Sequence, residues 1–352
     1  MAGVRQHILP RFLLKGFASK VDGPEVFTWV FRRGGKIFEA NIKNVAVEKH
    51  FYNVVGEINV DDEITTIERG FARLLDELRQ ENDGVKITDP TLPEFVGHLT
   101  SRTKHLRDSF IDTTEAMTSI LSDYLADARN VRSWLFDYYK RHPEVVKKAI
   151  DDVVLKMQLP RYQRRAFRQR LQGLISVKRL INQMDGDIQQ YALMFSMLAP
   201  MLIQKLPAIV KEGHIQAMAK SLVAEPRAEK YQQLNWFVCK SEEPLILGDV
   251  GCLFDIVGEN KLRSLGGTNE NIRIAYLPIA SDCLIVGTTT DTVAELDFSV
   301  INGYFASYSR DFFVCRELFE HTRELLQVLG TNAQILSQFE LELMIREVIS
   351  ES

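Results

Sequence analysis

Apolar positions recur along this chain in two rhythms, and the change from one to the other divides it. Over residues 26–55 the period is two. Val26-Phe27-Thr28-Trp29-Val30-Phe31 is β-branched and aromatic, Arg33-Gly34-Gly35-Lys36 supplies turn residues, and Ile37-Phe38-Glu39-Ala40 follows. That pattern predicts a hairpin. Phe51-Tyr52-Asn53-Val54-Val55 reads as a further short strand. Asp61-Asp62-Glu63 then opens a helix, its acidic side chains placed to cap free amides. Ile64, Ile67, Phe71, Leu74, Leu75 and Leu78 share one stripe of it. From Leu92 to Gly213 the pattern is helical almost throughout, with breaks near Asn130, His142-Pro143, Leu159-Pro160, Asp185-Gly186 and Pro200. Near Tyr231 the period returns to two: residues 234–239, 245–247, 252–257, 272–277 and 283–286 read as strands, and 258–271 as a loop. A helix is predicted over Arg310–Leu329, ending at Gly330. Asn332 then caps a last one reaching Ile349, with Ile335, Leu336, Phe339, Leu343 and Ile345 on its stripe.

This order predicts an α+β fold. Two separate small sheets would struggle to bury a face, so one mixed β-sheet is expected, built from an N-terminal segment (1–60) and a C-terminal segment (231–308). A helical block (61–230) is inserted between them, and C-terminal helices (309–352) complete the chain.

The chain opens MAGVRQHILPRFLLKGFAS. His7 stands three residues before Pro10, and Phe12, Leu13, Leu14 and Phe17 follow. That is more apolar surface than a free terminus needs, and a secretory leader does not place a histidine and a proline ahead of so short an apolar run. The stretch is expected to dock into the fold.

Composition narrows the function classes. At 45% hydrophobic and 26% charged the chain has ample material for a core. A net charge of −4 creates no global field toward nucleic acid or anionic lipid, so any such binding requires a local patch. Cys239, Cys252, Cys283 and Cys315 form no CxxC pair and read as buried reduced thiols rather than a zinc site. The longest apolar run, Tyr191–Ile203, is shorter than the ~20 residues that span a bilayer and is interrupted by Pro200. A buried core helix, no membrane partner and a cytoplasmic location are therefore expected.

Three places could carry chemistry. In Leu92-Pro-Glu-Phe-Val-Gly-His-Leu-Thr-Ser-Arg-Thr-Lys-His-Leu-Arg107, read as one helix, Arg102 falls in the middle of the Phe95/Leu99/Leu106 stripe. A guanidinium there needs a buried partner or a path to solvent, and Glu68 on the preceding helix has the right phase to meet it. The second place is Arg161-Tyr-Gln-Arg164-Arg165-Ala-Phe-Arg168-Gln-Arg170. No acidic residue lies between Val153 and Met184, and Arg161, Arg164, Arg165 and Arg168 share one face, either a phosphate-binding stripe or a solvated basic face balanced by neighbours such as Asp151-Asp152. The third is Gly248-Asp249-Val250-Gly251 at a strand end, suited to a metal, a hydroxyl, a partner amide or an ordinary turn.

His7-x-x-Pro10-x-Phe12-x-Leu14-x-x-Phe17, the Trp-containing strand, and Val45-Ala-Val-Glu48-Lys-His-Phe51-Tyr52 together resemble an uncharacterised family catalogued as domain of unknown function 4238. Glu68, Arg102-Thr103, Arg107, Gly248-Asp249-Val250-Gly251 and Leu277-Pro278-Ile279-Ala280 continue the resemblance. This chain keeps the aspartate of a Ser-Asp-Asn-Pro-like loop and loses its neighbours. The resemblance implies a mostly bacterial, intracellular, mixed α/β protein and no particular reaction. It makes Pro10, Phe12, Phe17, Phe51 and Tyr52 structural motif residues. It also suggests that the N-terminus supplies one wall of a polar pocket.

Two function classes follow. In the enzyme reading, His7, Glu68 and Asp249 are catalytic, Arg102 and Arg107 bind an anionic group, and Mg²⁺ or Mn²⁺ sits on Glu68 and Asp249. That arrangement suits phosphoester chemistry on nucleic acid, as in a nuclease-like toxin or phage-defence component, with Arg161, Arg164, Arg165 and Arg168 along the substrate. In the binding reading, the polar set is a structural lock. The protein then acts through the basic helix on nucleic acid or an acidic protein, or as a homo-oligomer through its C-terminal helices. An enzyme needs these residues around one accessible cavity; a lock needs them buried with their hydrogen bonds made.

Overall fold

The computed structural model describes residues 5–49, 51, 60–220, 225–266, 270–319, 321–334, 336 and 338–351. Strand β1 (Arg5–His7) leads through Pro10 into a short helix α1 (Arg11–Leu14) and a 3₁₀ turn. Next come β2 (Lys20–Asp22), β3 (Glu25–Arg32), β4 (Lys36–Asn41) and β5 (Val47–Lys49). β3 and β4 are the predicted hairpin, Phe27 pairing with Asn41 through to Arg32 with Lys36. Its turn uses Gly34 and Gly35 at φ of 91° and 85°, which side-chain-bearing residues avoid. Helix α2 (Val60–Leu78), β6 (Lys86–Ile87) and α3 (Thr91–Ser101) follow. The helical stretch then runs through α4 (Lys104–Ala126), α5 (Ala128–Arg141), α6 (Pro143–Lys156), α7 (Arg161–Leu174), α8 (Val177–Gln183), α9 (Asp185–Lys220) and α10 (Glu225–Gln232). After it come β7 (Asn235–Lys240), β8 (Leu247–Gly248), β9 (Leu253–Ile256), β10 (Leu262–Arg263), β11 (Ile272–Ala280) and β12 (Cys283–Thr288). The chain ends with α11 (Phe298–Tyr308), β13 (Phe312–Cys315), α12 (Thr322–Val328) and α13 (Gln338–Glu351).

The fold is α+β, with strands from both sides of the helical stretch pairing together. The single mixed sheet is replaced by three antiparallel ones among the described residues. β1 pairs β5; six strands run β10-β9-β11-β12-β7-β6; and β2-β3-β13-β8 form the third, with β4 also on β3. Tight turns join β3 to β4 and β11 to β12, and a tight turn can only make an antiparallel pair. Separate sheets are stable here because one core serves both larger ones. Val30 and Phe313 from one, Val238, Leu277 and Ile285 from the other, and Phe71, Phe95 and Phe305 from helices belong to one continuous buried cluster.

Residues 1–111 and 208–335 make one compact unit and residues 112–207 and 336–352 another. Helices α2 and α3, expected to open the inserted block, pack into the first unit's core through Phe71, Leu75, Phe95 and Leu99. The second unit has a small core of Val131, Ile181 and Ile188.

Several elements differ from the pattern's prediction. The helix expected over Arg310–Leu329 is strand β13 followed by the shorter α12. Phe312-Phe313-Val314-Cys315 is wholly buried between β3 and β8, and a continuous apolar run carries no period to tell strand from helix. The predicted loop 258–271 contains β10. In α13 the inward residues are Leu341 and Ile345, while Phe339 and Leu343 are exposed. The stretch Tyr191–Ile203 is not a buried core helix: Leu193, Met197 and Met201 are 63%, 65% and 59% exposed.

Candidate functional site

The N-terminal hook is built by burial. Pro10 begins α1 with extended backbone, and Leu13, Leu14 and Phe17 are wholly buried. Phe12 packs against Phe95 of α3, ring centres 5.8 Å apart. Gly16 lies flat on β11: its carbonyl accepts from Ser281 N at 3.0 Å, and a Cβ there would stand 2.0 Å from the Ile279 carbonyl. Arg79, at the end of α2, ties hook and sheet together by donating to the Phe12 and Ile279 carbonyls at 2.8 and 3.0 Å.

Beside the hook is the node that the phase of two helices predicted. Arg102 is 2% exposed and pairs with Glu68 of α2. Its Nη2 donates to the His7 carbonyl at 2.5 Å, and Nη1 lies 3.0 Å from His98 Nε2. A buried guanidinium is stable only when its donors are met, and this one is held by a carboxylate, a carbonyl and an imidazole. The His7 ring titrates at about 4, lowered first by burial and then by the positive charges of Arg11 and Arg102, so it is neutral at pH 7.

The helix read as continuous over 92–107 breaks after Arg102. Thr103 restarts the backbone, its hydroxyl accepting from Leu106 N at 3.2 Å to cap α4. Arg107 therefore sits in a second node. Its Nε donates to His214 Nδ1 at 3.1 Å and its Nη2 to the Phe51 carbonyl at 2.9 Å, and the guanidinium lies 3.5 Å over the Phe51 ring. His214 Nε2 donates to the Ser101 carbonyl at 2.7 Å, which puts the proton on Nε2 and leaves Nδ1 to accept. Burial lowers this imidazole to about 4.

Asp249 closes a different junction. Oδ1 accepts from Arg310 N at 2.8 Å, and Oδ2 from Asp311 N at 2.7 Å and Phe312 N at 3.3 Å. The carboxylate thus fixes the turn between α11 and β13. Burial pushes it up to about 6 against the pull of those amides. Nearby Lys104 pairs with Asp108 and Asp311, both at 2.8 Å.

The structure brings His7, Glu68 and Arg102 together, adding His98. Arg107 and Asp249 stand in separate nodes with their own partners. Tyr52 lies outside the described residues. Glu48 is half-buried and pairs with Gln6 in β5–β1. These side chains line neither the 520 Å³ cleft of the first unit nor the two clefts described in the second. The 520 Å³ cleft of the first unit is bounded by residues such as Asp83, Lys240, Asp291 and Glu295. Among the described residues no cluster of His, Cys, Asp and Glu could hold a metal. His98, His214 and Arg79 were missed in the sequence; only His98 left a signal, one turn before Arg102.

The basic run is helix α7, with no buried residue. Arg168 pairs with Asp151 at 2.6 Å, which balances part of the charge locally, and Arg164 donates to the Leu159 carbonyl at 2.8 Å. Arg161 and Arg165 have no acidic partner among the described residues, and Tyr162 beside them is 79% exposed.

The family described as Protein of unknown function (DUF4238) matches residues 5–297. The chain belongs to this family. The match takes in the hook, both arginine nodes, Asp249 and α7. No curated protein and no solved structure matches the chain.

Proposed function

We propose that this family member is a binding module for single-stranded nucleic acid, acting through α7, and that the family's polar residues are an internal lock. The observation that carries this reading is Tyr162, exposed beside Arg161 and Arg165, which have no acidic partner among the described residues. At about 100° per residue Arg161, Tyr162 and Arg165 fall on one side of the helix. Guanidiniums track phosphates and an exposed aromatic ring stacks on unpaired bases, which suits a single strand better than a duplex. The nuclease alternative is less well supported, because the residues present do not fit a divalent cation. Both Asp249 oxygens accept amides and Glu68 is committed to Arg102.

The test is fluorescence anisotropy with labelled single- and double-stranded DNA and RNA, at several salt concentrations, with and without Mg²⁺. We expect salt-dependent binding to single strands without cleavage. Arg161→Ala/Arg165→Ala should reduce the slope of log K against log salt by about 1.4, two phosphate contacts at ~0.7 each. Tyr162→Ala should weaken binding without changing that slope. No binding at low salt would remove the nucleic-acid reading, and Mg²⁺-dependent cleavage would replace it with the enzyme.

A further inference from the structure

Helix α9 departs furthest from what its sequence predicts. From Ile188 to Gln204 it carries no charged residue. Ile188, Ala192 and Ala199 are buried, Ile188 in the core of the second unit, while Leu193, Met197, Met201 and Leu202 are each more than half exposed. An apolar helix surface in water needs a cover.

By length and composition Asp185–Met218 could cross a membrane. The topology forbids it. β3 pairs with β13, and β6 with β7, so segments on either side of α9 in the chain share sheets. A single crossing would place the halves of one sheet on opposite faces of the bilayer. No other helix among the described residues could make the return.

The outward surface has an order that names its occupant. Asp187, Tyr191, Met194, Leu198, Met201 and Lys205 follow one another at spacings of four, three, four, three and four, the seam of a coiled coil. The four apolar members are 53%, 42%, 43% and 59% exposed in chain order. Asp187 and Lys205 are also exposed, and neither has an ion-pair partner among the described residues. The seam is symmetric about Ser196. An antiparallel copy centred there sets Asp187 against Lys205, Tyr191 against Met201 and Met194 against Leu198, each pair made twice. A parallel copy would set aspartate against aspartate and lysine against lysine. Pro200 projects from the opposite side of the helix, at about 140° from the seam.

We infer that α9 is a homodimer interface in which two copies of this chain pack antiparallel about a two-fold axis at Ser196. The occupant is a second copy because an unrelated partner gives no reason for the two charges to mirror each other across the uncharged stretch. The interface lies on α9 rather than on the C-terminal helices, and it is independent of the nucleic-acid reading.

Sedimentation equilibrium of the full chain over a range of concentrations tests this, with circular dichroism to check that each variant folds. The wild-type chain should dimerise reversibly. Leu198→Glu should leave monomer. Asp187→Lys and Lys205→Asp should each weaken the dimer on the order of tenfold, since like charges then meet at both ends. The double variant Asp187→Lys/Lys205→Asp should restore it. Tyr191→Cys/Met201→Cys should form intermolecular disulfides on oxidation, the native cysteines being buried. A wild-type monomer at every concentration, including one that floats with phosphatidylcholine/phosphatidylglycerol vesicles, would overturn the inference. So would a dimer indifferent to Leu198→Glu and to both single charge changes, or single changes that the double variant fails to rescue.

Discussion

Mild acid should weaken the first unit, and the structure sets the size of the effect. His105 is buried there and His7 and His214 are half-buried, and each imidazole is lowered from 6.5 to about 4, desolvation being the main cause. Asp249 in the same unit is raised from 3.8 to about 6, again by burial. Near pH 5.25 each histidine is almost fully protonated in the unfolded chain and almost fully neutral in the folded one. The three therefore favour unfolding by about 2.7 protons. Asp249 acts in the opposite sense, since its folded form holds the proton that the unfolded chain has released, about 0.8 proton. The net uptake on unfolding is about two protons, so stability should fall by roughly 2–3 kcal/mol for each pH unit between 6 and 5. The assay is urea unfolding followed by tryptophan fluorescence in a Trp134→Phe background, which leaves Trp29 and Trp236, both in the first unit. His214→Gln keeps a donor for the Ser101 carbonyl and should roughly halve the slope; Asp249→Asn should steepen it. Stability that is flat or rises as pH falls from 6 to 5 would refute the reasoning.

Other substitutions probe the lock and the hook. Arg102→Met should cost ~3–5 kcal/mol, because Glu68, His98 and the His7 carbonyl lose their common donor, and Arg102→Lys should rescue little, one ammonium replacing a fork; urea midpoints measure both. Gly16→Ala should cost ~1–3 kcal/mol by driving a methyl into the Ile279 carbonyl. Gly173→Ala, in α7 with open space around it, should instead stabilise the second unit by ~0.5–1 kcal/mol. A thermal melt followed through Trp134 would show that gain.

What could be read in the sequence was what a local period or a helical phase encodes. The 25–41 hairpin carried both alternation and turn glycines. The Glu68–Arg102 pair was legible because each residue sits at a computable angle on a helix whose other stripe members are apolar. The hook was legible because nothing but burial explains Leu13, Leu14 and Phe17 together. Elements whose identity depends on distant partners were not legible. Phe312–Cys315 is a strand because β3 and β8 flank it, residues far away in sequence. His214 partners Arg107 across 107 residues, and no spacing rule reaches that far. Arg107 itself was misplaced because the break at Thr103 hinges on one hydroxyl. For α9 composition misled, since an apolar run signals burial without saying which molecule provides it.

The pairing of β3 with β13 has a consequence during synthesis. Trp29 faces Cys315 and Arg32 faces Phe312. On a ribosome adding ~5–20 residues per second, the open edge of β3 therefore waits about 15–60 s for its partner to be made. Throughout that interval a strand edge bearing Trp29, Val30 and Phe31 is available to any other unpaired edge, including that of a neighbouring nascent chain. The N-terminal hook has the same delay, because β11 must emerge before Gly16 can lie on it. Translation speed and chaperone supply should therefore affect the yield of folded chain.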